Sequence, residues 1–177
     1  KDSDVNTINA EVLTELESII DEVANSHHKG LIIYSVKQSG FIFGADITQF
    51  SHLNDVNEAV AFVRYGQKVF QKLENLSIPT VAMIGGLCLG GGCELSLACR
   101  YRVMQADLKA RIGLPEVKLG IHPGWGGTVR LPQKIGVLSA MDLILSGRAI
   151  LGRAAYKLGL VDAAVPERQL KRAAQHY

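Results

Sequence analysis

A run of three glycines near the middle of the chain, at residues 90–92, constrains the fold more than any other stretch. It follows an apolar segment typical of a buried strand, residues 79–84, and leads directly into Glu94 and a series of small and apolar residues. Glycines reach backbone angles that strain other residues, and they leave room for a ligand to approach the backbone. At the start of a helix they leave unpaired N–H groups at the positive end of the helix dipole. We therefore predict a strand, a glycine turn and a helix whose first N–H groups bind a negative or developing negative oxygen.

Other known uses of a glycine run fit this sequence less well. The lysine followed by serine or threonine that ends a nucleotide P-loop is missing here, and Gly85, Gly86 and Gly90 do not have the spacing of a dinucleotide-binding fingerprint. Close packing of a helix on a strand also requires glycine, but it does not require a carboxylate just after the run. We interpret the run as a binding element, with close packing as the alternative.

The second feature is a pair of carboxylates, Glu94 and Glu116, 22 residues apart in the sequence. A charged carboxylate is costly to bury without a partner, so Glu94 needs a physical reason. One explanation is a salt bridge to Arg100 or Arg102. The other is that the two carboxylates share one pocket, where mutual repulsion keeps one protonated while the other is ionised. Such a pair would titrate as a unit and would suit proton transfer.

Composition favours one domain that occupies residues 1–177. The chain is 47% hydrophobic and 20% charged, which is ordinary for a domain with a proper core. The formal net charge of +2 and the scattered basic residues argue against a nucleic-acid partner. No apolar run approaches the roughly 20 residues that a membrane-spanning helix requires, and the start lacks the pattern of a secretory signal. We therefore predict no membrane span and a cytoplasmic location.

The three cysteines, Cys88, Cys93 and Cys99, lie within one short segment among leucine, alanine and glycine. Their odd number and unpaired spacing argue against a disulfide framework. With no CxxC motif and no histidine nearby, a metal site is disfavoured as well. We predict buried apolar thiols and no metal.

Hydrophobic periodicity predicts helices and strands in alternation. Apolar residues recur at helical spacing over residues 11–24 and 55–76, which predicts two amphipathic helices. Further helical patterns occupy residues 129–135, 139–145 and 153–158, and another helix begins at 166–167. Strand-like runs occupy residues 31–36, 39–47, 79–84, 101–104 and 160–165. This alternation indicates an α/β fold with substantial parallel pairing.

Four ordered motifs resemble those of the enoyl-CoA hydratase/isomerase (crotonase) family. They are Phe43-Gly44-Ala45-Asp46-Ile47, Gly90-Gly91-Gly92-Cys93-Glu94, Gly113-Leu114-Pro115-Glu116, and Leu119-Gly120-Ile121-His122-Pro123-Gly124 with Gly126-Gly127-Thr128. Together they are far more specific than any one motif, and the resemblance covers nearly the whole chain. Within the family, the chain is most similar to the hydratase portion of multifunctional fatty-acid oxidation proteins, which carry a 3-hydroxyacyl-CoA dehydrogenase further along the chain.

The resemblance implies a crotonase-like spiral of ββα units that is incomplete at both ends. Complete family members have strands before the position of Asn6, and a helical C-terminal region that commonly helps close the acyl pocket and build trimers. We therefore expect the chain to be a fragment of a longer protein. At full length it is expected to form a homo-oligomer or a complex with a thiolase.

The resemblance also implies roles for individual residues. The backbone N–H groups of Ala45 and Gly91 are expected to form an oxyanion hole for the thioester carbonyl of an acyl-CoA. Glu94 is expected to activate the water that adds at C3, and Glu116 to supply the proton to C2. The residues expected to contact the substrate are Asp46, Ile47, Thr48, Gly90, Pro115, Gly124 and Trp125. For His122 and Trp125, lining of the acyl tunnel and simple packing both stay open.

The activity implied by the resemblance is the reversible hydration of 2-enoyl-CoA to 3-hydroxyacyl-CoA. It needs no metal or redox cofactor in this domain, because coenzyme A is part of the substrate; NAD is expected only in a downstream dehydrogenase domain. One alternative is double-bond isomerisation, which Glu116 could conduct alone. Another is a non-catalytic scaffold or binding fragment, including an RNA-binding role.

Overall fold

A computed structural model describes residues 4–46 and 55–177, which form eight strands and seven α-helices. The strands are β1 (Leu31–Tyr34), β2 (Gly40–Ile42), β3 (Thr80–Ile84), β4 (Leu87–Leu89), β5 (Tyr101–Gln105), β6 (Arg111–Gly113), β7 (Ala149–Leu151) and β8 (Ala163–Val165). The helices are α1 (Ala10–Ala24), α2 (Val56–Glu74), α3 (Gly91–Ala98), α4 (Gly127–Ile135), α5 (Val137–Ser146), α6 (Gly152–Lys157) and α7 (Glu167–Ala174). A 3-10 turn covers Glu116–Leu119.

The strands form two four-stranded sheets, which the chain visits in turn. One sheet has the order β1-β3-β5-β8 and the other the order β2-β4-β6-β7. In the first three pairs, the first strand joins the first sheet, the second joins the other sheet, and a helix follows; in the last pair, β7 joins the second sheet and β8 the first, each followed by a helix. Neighbouring strands are parallel, apart from the antiparallel pair β6 and β7. The predicted α/β spiral of ββα units is therefore confirmed.

The predicted helices are all present, but three short strands were not predicted from the sequence. β4, β6 and β7 are three residues each, too short for an alternating pattern to stand out. Between β3 and β4, Gly86 adopts a φ of +77° and turns the chain from one sheet into the other. The strand predicted over residues 160–165 begins only at Ala163.

The glycine run starts a helix, as predicted. Gly90 caps α3 with a φ of +52° and a ψ of −127°, a conformation that favours glycine. All eight residues of α3 are buried, because α2, α4 and strands of both sheets pack around it. A helix buried on every side shows no amphipathic pattern. It therefore carries Glu94 into the protein interior rather than to its surface.

The side chain of Arg102 ties the end of α3 to the segment that precedes β8. It is 1% exposed, and it donates to the carbonyl oxygens of Ser96, Cys99, Arg100 and Leu160. It also forms an ion pair of 3.0 Å with Asp162, whose carboxylate accepts the Arg102 backbone N–H as well. These contacts fix residues 160–162 beside the end of α3 and the start of β5, immediately before β8 begins.

The three cysteines are buried and free, which confirms the predicted thiols. Within residues 4–46 and 55–177, no helix has both the length and the apolar character needed to cross a bilayer.

Replacing Arg102 by methionine should lower the free energy of unfolding by about 3–5 kcal/mol, because it leaves Asp162 unpaired and several buried carbonyl groups without a donor. Urea denaturation followed by circular dichroism measures the change. Arg100→Met is the matched control, since Arg100 is exposed, and it should change stability by less than about 1 kcal/mol. Equal losses in the two variants would contradict this role of Arg102.

Candidate active site

A cavity of about 690 Å³ opens between α2 and the first turn of α3. Its walls are mostly apolar, and they include the carboxylates of Glu94 and Glu116. The apolar side chains that α2 contributes are Val56, Ala59, Val60, Phe62 and Val63. An apolar cleft with a few convergent polar groups is typical of a site for an organic ligand.

Glu94 lies in the first turn of α3 and is only 2% exposed. Its Oε1 accepts hydrogen bonds of 2.8 Å from the backbone N–H groups of Trp125 and Gly127. Burial raises the pKa of Glu94, while these two N–H groups and, more weakly, the charge of Arg130 act in the opposite direction. The two N–H groups thus compensate the charge that α3 carries into the interior.

The alternative salt bridge from Glu94 to Arg100 or Arg102 is wrong. Arg102 pairs with Asp162, and the Arg100 side chain donates to the Leu76 carbonyl. The partners of Glu94 are backbone N–H groups, and the types of residue in the sequence do not indicate which backbone groups will bond to it.

Glu116 lies at the start of the 3-10 turn and lacks such partners. Its Oε2 is buried and accepts no hydrogen bond from the part of the chain that the structure describes. Burial raises the pKa of Glu116 to about 7, with a smaller contribution from the charge of Glu94, although its own backbone N–H and His122 act to lower it. A carboxyl group that titrates near neutral pH is suited to proton transfer.

The two carboxylates therefore face one cavity in different electrostatic environments. Two N–H donors from a distant loop favour the ionised form of Glu94, whereas only its own backbone N–H and the charge of His122 favour ionisation of Glu116, whose Oε2 has no partner in the described residues. A Cβ on Gly90 would lie 3.2 Å from Glu116 Oε1, so the carboxylate lies directly against the glycine turn that starts α3. The two carboxylates line one cavity, as predicted from the sequence, and the N–H donors favour ionisation of Glu94 more strongly than ionisation of Glu116 is favoured.

Two backbone N–H groups, those of Ala45 and Gly91, adjoin each other at the same cavity. Ile8 bonds to Gly44 and Asp46, which flank Ala45, and so leaves the Ala45 N–H without a protein acceptor within the described ranges. Gly91 is the first residue of α3, so its N–H has no acceptor inside the helix. A Cβ on Gly91 would lie 3.3 Å from Ala45 N. Paired donors of this kind can bind a carbonyl or enolate oxygen.

The indole of Trp125 lines the cavity and packs tightly, so both interpretations of this residue apply. It is 3% exposed, and its ring centroid lies 5.5 Å from that of Phe62 and 5.5 Å from that of Phe70, both in edge-to-face geometry. A Cβ on Gly66 would lie 2.4 Å from one side of the ring, and a Cβ on Gly91 would lie 2.6 Å from the other. Trp125 thereby fixes the spacing between α2 and the start of α3.

The other predicted contact residues are distributed unevenly. Gly90, Pro115 and Gly124 line the cavity, as does the exposed His122, whose Nδ1 is 3.0 Å from the Pro123 carbonyl. Asp46 does not line it; its backbone N–H bonds to Ile8 instead. Ile47 and Thr48 lie outside the described residues.

Two contributions to the site were missed in the sequence. The apolar positions of α2 were interpreted as an ordinary amphipathic face, but part of that face forms the cavity wall. The loop N–H groups that hold Glu94 were missed as well, although Gly126 and Gly127 signal a close backbone approach: a Cβ on Gly127 would lie 3.0 Å from Glu94 Oε1. Within the described ranges, no group of three or more histidine, cysteine, aspartate or glutamate residues is arranged to hold a metal ion.

Two sheets built from ββα units, with a glycine-started helix facing a cavity, form the crotonase fold. The structure superposes on an enoyl-CoA hydratase from Geobacillus kaustophilus HTA426 with a TM-score of 0.94 and 30% identity, covering 99% of this chain and 66% of the other. It superposes on an enoyl-CoA hydratase from Bacillus anthracis with a TM-score of 0.89 and 34% identity, covering 96% of this chain and 65% of the other.

The family model described as enoyl-CoA hydratase/isomerase matches residues 1–177, and the chain belongs to that family. It is 46% identical over 175 residues to a fatty acid oxidation complex subunit alpha from Aliivibrio fischeri, covering 98% of this chain and 26% of the relative. It is 48% identical over 164 residues to a fatty acid oxidation complex subunit alpha from Vibrio parahaemolyticus, covering 92% of this chain and 23% of the relative. The chain thus spans about a quarter of the length of these relatives.

Replacing Glu94 by glutamine should lower the pKa of Glu116, because it removes a negative charge that raises it. Glutamine keeps an oxygen for the Trp125 and Gly127 N–H groups, so the loop should stay in place. A carbon-13 NMR titration of labelled glutamate side chains measures the shift. Glu22→Gln, at an exposed position of α1, is the control and should leave Glu116 unchanged. A pKa of Glu116 that stays the same or rises in Glu94→Gln would exclude electrostatic coupling of the pair.

Proposed function

We propose that the protein catalyses the reversible addition of water across the 2,3 double bond of a 2-enoyl-CoA, which gives a 3-hydroxyacyl-CoA in fatty-acid β-oxidation. The observation that carries this proposal is the pair of carboxylates in unequal environments beside two adjoining backbone N–H groups. Membership of the enoyl-CoA hydratase/isomerase family supports it. Similarity to subunits of fatty acid oxidation complexes supports the metabolic context.

In the proposed mechanism, the thioester carbonyl accepts hydrogen bonds from Ala45 N–H and Gly91 N–H and so draws electron density from C3. Glu94 removes a proton from water as the water oxygen bonds to C3, and the electrons of the double bond move to the thioester oxygen. Each donor to that oxygen contributes about 3 kcal/mol in comparable sites. Glu116 then gives its proton to C2 as the enolate reverts to a thioester. Proton exchange with solvent restores the starting state of both carboxylates.

The unequal environments suit these two roles. A general base must be ionised before the reaction, and the N–H groups of Trp125 and Gly127 favour that form of Glu94. Because those groups occupy Oε1, the second oxygen is the one available to water. A general acid must be protonated, and a pKa of about 7 keeps a substantial share of Glu116 in that form at neutral pH.

Hydration changes no overall oxidation state, so the proposal requires no redox cofactor in this domain. Coenzyme A enters as part of the substrate, and the apolar residues of α2 are proposed to contact the acyl chain. A downstream dehydrogenase domain that uses NAD, a thiolase partner and a homo-oligomer are proposed from the resemblance to multifunctional fatty-acid oxidation proteins. The cytoplasmic location stays a prediction.

Isomerisation of a 3-enoyl-CoA to a 2-enoyl-CoA is the second candidate. The unpartnered Oε2 of Glu116 favours it, because a single carboxylate near neutral pKa could take a proton from C2 and return it to C4. Glu94 is not needed for this transfer. The two activities therefore respond differently to replacement of Glu94.

Glu94→Gln and Glu116→Gln should each lower the rate of crotonyl-CoA hydration by about 10²- to 10⁴-fold, because each removes one proton-transfer group. Loss of absorbance of the conjugated thioester measures the rate in the intact protein. Glu22→Gln serves as the control. Near-normal turnover in both active-site variants would refute the assignment of these roles.

The same variants separate the alternatives when they are supplied with a 3-enoyl-CoA. If isomerisation is the main activity, Glu94→Gln keeps it while Glu116→Gln loses it. A protein that converts neither substrate would instead support the scaffold interpretation.

A further inference from the structure

Arg130, on α4, is a buried cation behind the wall of the cavity. It is 8% exposed, and its Nε and Nη2 bond to Glu74 Oε2, near the end of α2, at 3.0 Å and 2.8 Å. Its Nη1 donates to the Trp125 carbonyl at 3.0 Å. Arg130 therefore joins α2 to the loop between the 3-10 turn and α4.

The carbonyl that Arg130 holds belongs to the peptide between the two peptides that donate to Glu94. The N–H groups of Trp125 and Gly127 both reach Glu94 Oε1, and the Trp125 carbonyl faces Arg130. The guanidinium therefore fixes the orientation of the peptide that links the two donors to Glu94.

Gly126 has the conformation that this arrangement requires. Its φ is +107°, and a Cβ at this position would lie 2.1 Å from Arg130 Nη1. The Gly126 carbonyl also accepts the Arg130 backbone N–H at 2.8 Å. The guanidinium can therefore approach the loop only where the chain has no side chain.

We propose that Arg130 is a positioning residue for the reaction: anchored by Glu74, it holds the Trp125 peptide so that two loop N–H groups orient the Glu94 carboxylate and leave its second oxygen for water. This inference rests on the proposed function for the role of Glu94 as the base. The contacts of Arg130 belong to the protein itself and do not depend on the substrate.

The charge of Arg130 adds to its geometric role. The groups that act on Glu94 from the surrounding elements are Arg130 on α4, His122 in the loop and Glu116 at the 3-10 turn, and the buried Cys93 thiol is adjacent on α3. Arg130 acts to lower the pKa of Glu94. Its removal should therefore raise that pKa, so that the base becomes ionised only at higher pH.

Arg130→Met and Arg130→Lys test the proposal in the intact protein, with kcat and KM for crotonyl-CoA measured from pH 5 to 9. For Arg130→Met, we expect kcat to fall between about 10-fold and 100-fold, KM to change less, and the acidic limb of the profile to move to higher pH. Arg130→Lys keeps the charge but loses the planar fork that bridges Glu74 and Trp125. Its kcat should fall while the acidic limb stays in place.

A control variant separates positioning and charge from general damage. Arg148→Met removes an exposed arginine paired with Asp142, away from the cavity lining. This control should not move the acidic limb.

Carbon-13 NMR titration of Glu94 gives a readout that does not depend on turnover. The Glu94 pKa should rise in Arg130→Met and stay in place in Arg148→Met. If the unmodified protein hydrates no enoyl-CoA, the proposed function fails, and this titration still decides whether Arg130 acts on Glu94.

A folded Arg130→Met variant with the Glu94 titration and the acidic limb of the unmodified protein would overturn the proposal and leave Arg130 a purely structural residue. If Arg130→Met does not fold, Arg130→Lys decides the question, since an unchanged kcat would show that the fork is not needed.

Discussion

The burial of one negative charge organises the surroundings of the candidate active site. Glu94 lies in a helix with no exposed residue, where a charged carboxylate without partners would be strongly destabilising. Its compensation comes from two backbone N–H groups of a loop about 30 residues further along the chain. That loop must follow one path closely, because Gly127 has no room for a Cβ beside the carboxylate. The loop, the start of α4 and the glycine turn before α3 thus depend on the same charge.

The two glutamates illustrate how position in the fold sets chemistry for one residue type. Both carboxylates are buried, and burial raises the pKa of each. Only Glu94 receives N–H donors from another segment, because the loop after the 3-10 turn folds back over α3, whereas Glu116 has its own backbone N–H and leaves Oε2 without a partner in the described residues. The ββα spiral brings them together by placing the β4–α3 turn beside the end of β6, its parallel neighbour in the sheet.

Much of the fold was accessible from the sequence, because long helices and buried strands leave periodic patterns. Such patterns predict α1 and α2 directly, and the glycine run at residues 90–92 predicts the start of α3. The pairing of Ala45 with Gly91 came only from the family resemblance, since residues on different turns of the spiral share no local spacing. The strands β4, β6 and β7 were missed because three residues cannot display an alternation.

Hydrogen bonds made by the backbone were the least predictable part of the site. The donors to Glu94 are the backbone N–H groups of Trp125 and Gly127, and because every residue except proline carries such a group, residue type does not identify a donor. The sequence instead directed attention to Arg100 and Arg102, which have the complementary charge but bond elsewhere. Asp46 does not line the cavity and its backbone N–H bonds to Ile8, while its expected contact with the substrate stays a prediction.

The indole of Trp125 lies between two positions that have no side chain, Gly66 on α2 and Gly91 at the start of α3. In evolutionary terms, these three positions form one steric unit. While the tryptophan is present, neither glycine can change without a clash; a smaller residue at position 125 would remove that clash at both positions, although Gly91 would still lie against Ala45 N. A substitution at position 125 must therefore come before any substitution at position 66 or 91.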